Sequence, residues 1–411
     1  ALALLVENAS SLEPLSLEAA QRAAVARSRE LAGMEAAADA ARETSVAAGR
    51  LPDPMLMLGL ENVPIDGGDR FSLTAEPMTM GRVGLAQTFT RQAKRSAAAN
   101  RYLREAEKLS AQRQAAIARI QRQATLAWLD RHFAERTLAA LDEQRAAVNQ
   151  EIKAVEGAYR AGRATQADVI GAHAALAELE DRRAEQLQQI ATSNVALSRW
   201  VGDLAQRPLS APPPLDTLPM DAASLRTMLH EHPELLALRK EQEMALADTE
   251  LARANRKSDW TVGVNYEQRG PDYSNMVSVG ISIPLQWDQR RRQDRELAAK
   301  LKQLDAARAQ REEAERDHAA VIEALLTDWR SLRARADRFR TELLPLARER
   351  TRATLAAFAG GKASLVDLTS ARRAEIETQL RALDLDEGAA RVWAQLRTLT
   401  PVEDHGGRSA Q

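Results

Sequence analysis

The chain has no cysteine and only 4% aromatic residues, with 15 prolines and 19 glycines among its 411 residues. Without thiols it cannot form disulfides, thiolate metal sites or cysteine nucleophiles, although this absence does not identify a compartment. Nor does either charge dominate: 57 Lys and Arg face 58 Asp and Glu, for a formal net charge of −1. A nucleic-acid partner is therefore not expected, because such partners need a clustered basic excess. No stretch approaches the roughly 20 consecutive apolar residues of a membrane-spanning helix, so any membrane crossing would have to be made without helices. G-x-S-x-G, H-E-x-x-H and glycine-rich phosphate loops are also missing, which leaves catalysis without a supporting motif and no cofactor expected. What the chain has in excess is alanine, about a fifth of all residues. With abundant Glu, Arg, Gln and Leu, this is the composition of long helices or coiled coils.

Proline and glycine punctuate the chain. Ala1–Val6 is a short apolar stretch without a basic leader, so any targeting peptide is expected to have been removed before this numbering begins. A helix is expected from Leu17 to about Arg50. It should stop at Leu51-Pro52-Asp53-Pro54, where each proline lacks the helical N–H donor and pushes its predecessor towards extended geometry. Two extended segments follow, Met55–Val63 and Thr79–Phe89, joined by the turn-rich stretch from Pro64 to Asp69. Next comes a proline-free run from Arg91 to Tyr159, about 100 Å long at 1.5 Å per residue. Its later half spaces Leu138, Leu141, Val148, Ile152, Val155 and Tyr159 as a seam that must face other helices. The run breaks at Gly162, and Thr165 can cap a returning helix from Gln166 to about Val201, making a hairpin.

The second half repeats the plan. A helix from Ala222 to about Lys257, strands near Trp260–Glu267 and Met276–Leu285, a helical run to Phe358, a glycine break and a helix to about Leu399 follow in the same order. The breaks align residue by residue. Tyr159-Arg160-Ala161-Gly162-Arg163-Ala164-Thr165 matches Phe358-Ala359-Gly360-Gly361-Lys362-Ala363-Ser364 at an offset of 199. Such duplication defines a first repeat (1–206), a proline-rich linker (207–221), a second repeat (222–400) and a tail (401–411) expected to be disordered. Pro345 has no counterpart in the first repeat and should kink its helix.

Within the second pair of strands, Trp260, Val262, Val264 and Tyr266 alternate with Thr261, Gly263, Asn265 and Glu267. Val277, Val279, Ile281 and Ile283 alternate with small or polar residues in the same way. A period of two makes one face apolar and the other polar, as in a half-buried soluble sheet or a transmembrane barrel strand. Four strands are too few to close a membrane barrel, and an open edge is not tolerated in lipid. Either the sheet is soluble or several chains share one barrel.

The duplicated halves, the Y-x-x-G-x-x-[ST]-x-x-D tips, the His232-Pro233-Glu234-Leu235 helix start and Ile283-Pro284-Leu285 resemble the TolC family of outer-membrane efflux channels. Leu51-Pro52-Asp53-Pro54, Asn62-Val63-Pro64, Met78-Thr79-Met80 and Val83-Gly84-Leu85-Ala86-Gln87 resemble its heavy-metal, CzcC-type branch. The likeness runs from Leu17 to Leu399. It implies a mainly α fold in which duplicated long-helix hairpins build an α-helical barrel, and four strands per chain join a trimeric transmembrane β-barrel. The homotrimer would sit in the outer membrane of a Gram-negative bacterium, contact its lipid, and dock on a periplasmic adaptor and an inner-membrane resistance-nodulation-division pump. Metal cations would be the cargo; drugs or other solutes are the alternative within the family, and a soluble coiled-coil scaffold is the alternative outside it.

The resemblance also assigns residues. The hairpin tips, Gly162, Arg163 and Thr165 with Gly361, Lys362 and Ser364, would meet the adaptor, although an ordinary capped helical turn needs the same residues. Asp168 and Asp367, one turn inside, would ring the pore constriction, attract cations and raise one another's pKa; the plainer reading is an acid favouring a helix N-terminus. The family's second constriction acid is replaced here by Gly171 and Ser370, of which Ser370 stays a candidate constriction residue. His230-Glu231-His232 reads as a helix start, since residues two apart do not neighbour one another on a helix. No metal site is expected. Met55, Met57, Met78 and Met80 carry thioethers suited to Cu(I), but methionine also fills packing positions. Arg290-Arg291-Arg292 reads as a solvated charge run.

Overall fold

The computed structural model describes residues 13–218 and 220–399; the apolar N-terminal stretch and the expected disordered tail, 401–411, lie outside the described residues. Nine α-helices and four strands follow one another as α1 (Leu17–Arg27), α2 (Arg29–Ala48), β1 (Met55–Glu61), β2 (Met80–Phe89), α3 (Gln92–Arg160), α4 (Gln166–Val201), α5 (Ala222–Thr227), α6 (Pro233–Ala254), β3 (Trp260–Arg269), β4 (Met276–Ser282), α7 (Gln293–Arg338), α8 (Leu344–Ala359) and α9 (Leu365–Arg397) among the described residues. The second half thus repeats the element order of the first. No helix among the described residues is long and apolar enough to cross a membrane.

Two helical expectations need correction, and a third takes a specific form. The helix expected from Leu17 to Arg50 is interrupted at Ser28, whose backbone is extended (φ −72°, ψ 111°). The Ser28 hydroxyl accepts a hydrogen bond from the Leu31 N–H at 3.3 Å, so a serine cap competes with helix continuation. The helix expected from Ala222 to Lys257 is likewise divided, by a 3₁₀ turn at Met228–Glu231 and by His232, which Pro233 excludes from helical geometry. The kink expected at Pro345 takes the form of a π-turn, Phe339–Leu343, directly before α8. One extra residue in that turn accommodates a ring that would otherwise strike the carbonyl four residues earlier.

The chain clusters into two compact units, each drawing on both halves of the sequence: residues 1–31, 114–233 and 315–411 in one, residues 32–113 and 234–314 in the other. In the first unit, Leu17, Ala20, Trp128, Leu129, Phe133, Leu197, Val201, Ala390 and Trp393 form an apolar core. The connector after α4 is tied to it by a short parallel bridge. Leu15 donates its N–H to the Pro208 carbonyl (2.8 Å), accepts from Ser210 (3.2 Å) and accepts again from the Trp128 indole (3.0 Å). A second core lines the α3–α4 and α8–α9 hairpins with Leu141, Val148, Ile152, Val155, Leu179, Leu365, Leu368 and Ile376. It uses most of the predicted α3 seam. Tyr159 at its end stays exposed.

The second unit holds the antiparallel sheet, in the order β1-β2-β3-β4. Register is tight: Leu85 of β2 faces Leu56 of β1 and Val264 of β3, and Val264 in turn faces Val279 of β4. Below the strands, polar pairs join the helical segments. Lys240 bridges Glu107 (3.0 Å) and Glu243 (2.9 Å), and Asp248 takes Arg101 and Lys300, each at 3.1 Å.

Candidate functional site

Both hairpin tips are built by the same local chemistry. Each outgoing helix ends in a glycine with positive φ, Gly162 at 69° and Gly361 at 73°. Glycine meets no Cβ penalty there. The Gly162 N–H returns to the Tyr159 carbonyl (2.9 Å) and the Arg163 N–H to Ala158 (2.8 Å); Gly361 and Lys362 do the same to Phe358 (3.0 Å) and Ala357 (2.8 Å). These paired bonds satisfy carbonyls that a helix end leaves open.

The returning helices begin with capping boxes. The Thr165 hydroxyl accepts from the Asp168 N–H at 3.1 Å, while the Asp168 carboxylate accepts from the Thr165 N–H at 2.8 Å and its hydroxyl at 2.7 Å. Ser364 and Asp367 repeat this arrangement at 3.2, 3.0 and 2.7 Å. Those bonds hold both carboxyls below the usual carboxylate range: for Asp168 the backbone bond from Thr165 leads, for Asp367 the hydroxyl of Ser364. Within one chain the shift is thus downward, opposite to the mutual raising expected of a carboxylate ring. Asp367 and Ser370 share an open groove with Arg350 and Thr354, which places a guanidinium beside the candidate constriction.

Gly162, Arg163, Thr165, Gly361, Lys362, Ser364, Asp367 and Ser370 are all exposed, and Asp168 is half-buried. Arg163 also donates to the Ala359 carbonyl at the end of α8 (3.0 Å), which joins the two tips. Sequence spacing brings out each tip separately but not this contact between them.

A larger omission lies about two to four turns inside. Arg372 of α9 donates to Glu151 of α3 (2.9 Å from Nε), to Gln144 of α3 (3.2 Å) and to Glu375 (2.9 Å), while Gln144 donates to Gln379 (2.6 Å). Glu151, Glu375, Gln144 and Gln379 are buried. This polar layer crosses the interface between the two hairpins, flanked by apolar contacts. The only sequence signal is the polar residues interrupting the seam at Gln144 and Glu151.

The sheet is the other feature with an unusual surface. Two apolar rows cross all four strands on one face: Leu56, Leu85, Val264, Val279 and Leu58, Val83, Tyr266, Val277. Every one of these side chains is exposed, Leu58 at 71% and Val279 at 69%. The opposite face carries Arg82 paired with Glu61, and Asn265 and Glu267 both bonded to Ser278 (3.3 and 2.7 Å). Aromatic residues stand at the strand ends. Phe89 stacks on Trp260 at 4.4 Å, and Arg269 lies over the Tyr273 ring at 5.0 Å in the β3–β4 loop.

Residues 225–401 match the family described as Outer membrane efflux protein. No curated protein sequence matches the chain. Among solved structures, the chain superposes on the outer membrane protein VceC from Vibrio cholerae with a TM-score of 0.75 at 20% identity, over 94% of this chain and 96% of that one. For CusC the TM-score is 0.79 at 14% identity, covering 94% and 92%. For the CmeC outer membrane channel of Campylobacter jejuni it is 0.77 at 12% identity, covering 93% and 85%. The chain therefore has the fold of these outer-membrane channels, and its second half carries the sequence signature of outer membrane efflux proteins.

Proposed function

We propose that this chain is the outer-membrane channel of a tripartite efflux pump: a passive duct rather than an enzyme, assembled as a homotrimer with four strands from each copy. The observation that carries the reading is the pair of exposed apolar rows across a sheet whose other face is polar. Burying such a face in lipid is favourable in proportion to its area, whereas leaving it in water is costly. Lipid in turn forbids unpaired strand edges. Edges β1 and β4 can close only against other copies, and three copies of four strands give a twelve-stranded barrel with the Arg82–Glu61 and Asn265–Ser278–Glu267 face towards water. The aromatic residues at the strand ends fit the interfacial girdles of such barrels.

The helical hairpins form the periplasmic part, and their tips meet the adaptor. Arg163 and Lys362 supply the charge there; the glycines and the Thr165 and Ser364 caps set the turn that presents them. Asp367, with Ser370 and Asp168, lines the constriction. The inner-membrane resistance-nodulation-division pump supplies the energy, since the chain contains no nucleotide-binding motif.

Heavy-metal cations are the cargo in this reading, supported by the sequence segments from Leu51 to Gln87 that resemble the heavy-metal branch. The test is planar-bilayer conductance of the detergent-purified chain with its oligomer mass. A trimer with cation-preferring conductance supports the channel; a detergent-independent particle without conductance overturns it. Cargo is tested separately, by metal and dye accumulation in cells lacking the gene. Retained metal supports the cation reading, and retained dye alone replaces it with organic solutes.

A further inference from the structure

We propose that His232 and His318 form a binding site for a borderline divalent cation of the Zn2+, Co2+, Ni2+ or Cu2+ class. The two residues are 86 positions apart in sequence and lie in the same compact unit, where their ring centroids approach to 4.6 Å. His232 is held out of helical geometry by Pro233, the first residue of α6, and is only 5% exposed. His318 is half-buried on α7.

Geometry brings the two rings within reach of one ion. The imidazole planes are tilted by 59° rather than stacked face to face. One ligand nitrogen of each ring lies within 4.8 Å of the other. Two imidazole nitrogens on a tetrahedral zinc, each about 2.05 Å from the metal, are roughly 3.3 Å apart. The 4.8 Å bound includes that spacing. Imidazole is a donor well suited to this group of metals. Along the chain, Glu234 follows in the first turn of α6, bringing negative charge next to the first ligand.

Two other histidines are engaged differently. His132 is stacked nearly parallel to Trp128 at 5.3 Å, and His173 is exposed beside Glu156 at 3.6 Å. His230 is exposed and two positions from His232, which gives a matched control. The His230-Glu231-His232 triplet in the sequence does not make the site. The partner comes from another helix.

Binding at this pair would hold whichever solute the channel carries, and a bound ion would link the start of α6 to α7. The test is isothermal titration of Zn2+ into the tag-free, detergent-purified full chain, with Co2+ absorption as a second readout of ligand geometry. The expected result is one ion per chain and the intense visible bands of tetrahedral Co2+. His318→Gln should weaken Zn2+ at least tenfold and abolish those bands, while His230→Gln leaves both unchanged. His232→Gln should act as His318→Gln does, and circular dichroism identifies any variant that fails to fold, so one folded variant is enough. Absence of Zn2+ binding at about 100 μM, or equal affinity in His318→Gln and the native chain, would overturn the proposal.

Discussion

Arg372 of α9 and Glu151 of α3 form a buried ion pair across the two hairpins, with Arg372 Nε donating to the Glu151 carboxylate at 2.9 Å. The side chains are 14% and 9% exposed, and Glu375, 7% exposed, takes a second bond from the same guanidinium. The value of this cluster lies in its completeness. Removing the cation leaves buried Glu151 without its counter-ion and buried Glu375 with only Arg348 at 4.0 Å, which is far costlier than losing one surface pair. Arg372→Ala should therefore lose about 3–5 kcal/mol, measured by denaturant or thermal unfolding of the purified chain. A loss below about 1 kcal/mol would place the cluster among solvated surface pairs.

The tip glycines separate a conformational requirement from a packing one. A Cβ at Gly361 meets nothing within 4 Å, yet its φ is 73°; Gly360 next to it has φ −83°. Gly361→Ala should cost about 1–2 kcal/mol from left-handed backbone alone. Gly360→Ala should be nearly neutral. Equal effects at the two positions would show that the tip relaxes out of the left-handed turn.

The capping boxes give the tips a defined response to acid. Because Asp168 and Asp367 have carboxyl pKa values lowered by the bonds they accept, the folded tip binds fewer protons than the unfolded chain. Their stabilisation is fully present above the ordinary carboxylate pKa of about 3.9 and is lost as pH falls through the lower folded value. Amide-exchange protection of the first turns of α4 and α9 should accordingly decline below about pH 4. Ser364→Ala should weaken α9 by about 1 kcal/mol at neutral pH, and Asp367→Asn should flatten the acid response of that tip. Unchanged pH dependence in Asp367→Asn would locate the response elsewhere.

The two faces of the sheet should answer differently to charge. Val264 lies in the middle of an apolar row, between Leu85 and Val279, whereas Ser282 lies on the opposite face, across from Thr261. Val264→Arg should cost about 2–4 kcal/mol if that row spans the bilayer centre, seen as loss of heat-modifiable oligomer in membranes. Ser282→Arg should assemble normally. If both assemble equally well, the apolar face is not in lipid.

Much of this is legible in the sequence, because it depends on residues close together along the chain. Alternation over Val262, Val264 and Tyr266 marks a two-faced strand. Gly162 and Gly361, followed by Thr165-x-x-Asp168 and Ser364-x-x-Asp367, mark helix ends and starts. The breaks at Ser28 and near His232 were missed because the apolar pattern runs through them, while a serine hydroxyl or the residue before a proline decides locally against the helix. The π-turn before Pro345 was expected only as a kink, since a proline can be accommodated in more than one way.

The sequence by itself determined the α and β segments, the duplication and the tip turns, since period, caps, glycine and proline act within a few residues. Tertiary structure alone decided which distant polar groups meet: Arg372 with Glu151, 221 residues away, Arg163 with the end of α8, and His232 with His318. Such pairs leave no spacing to read. Their energy comes from burial and mutual approach, and both exist only once the helices have packed.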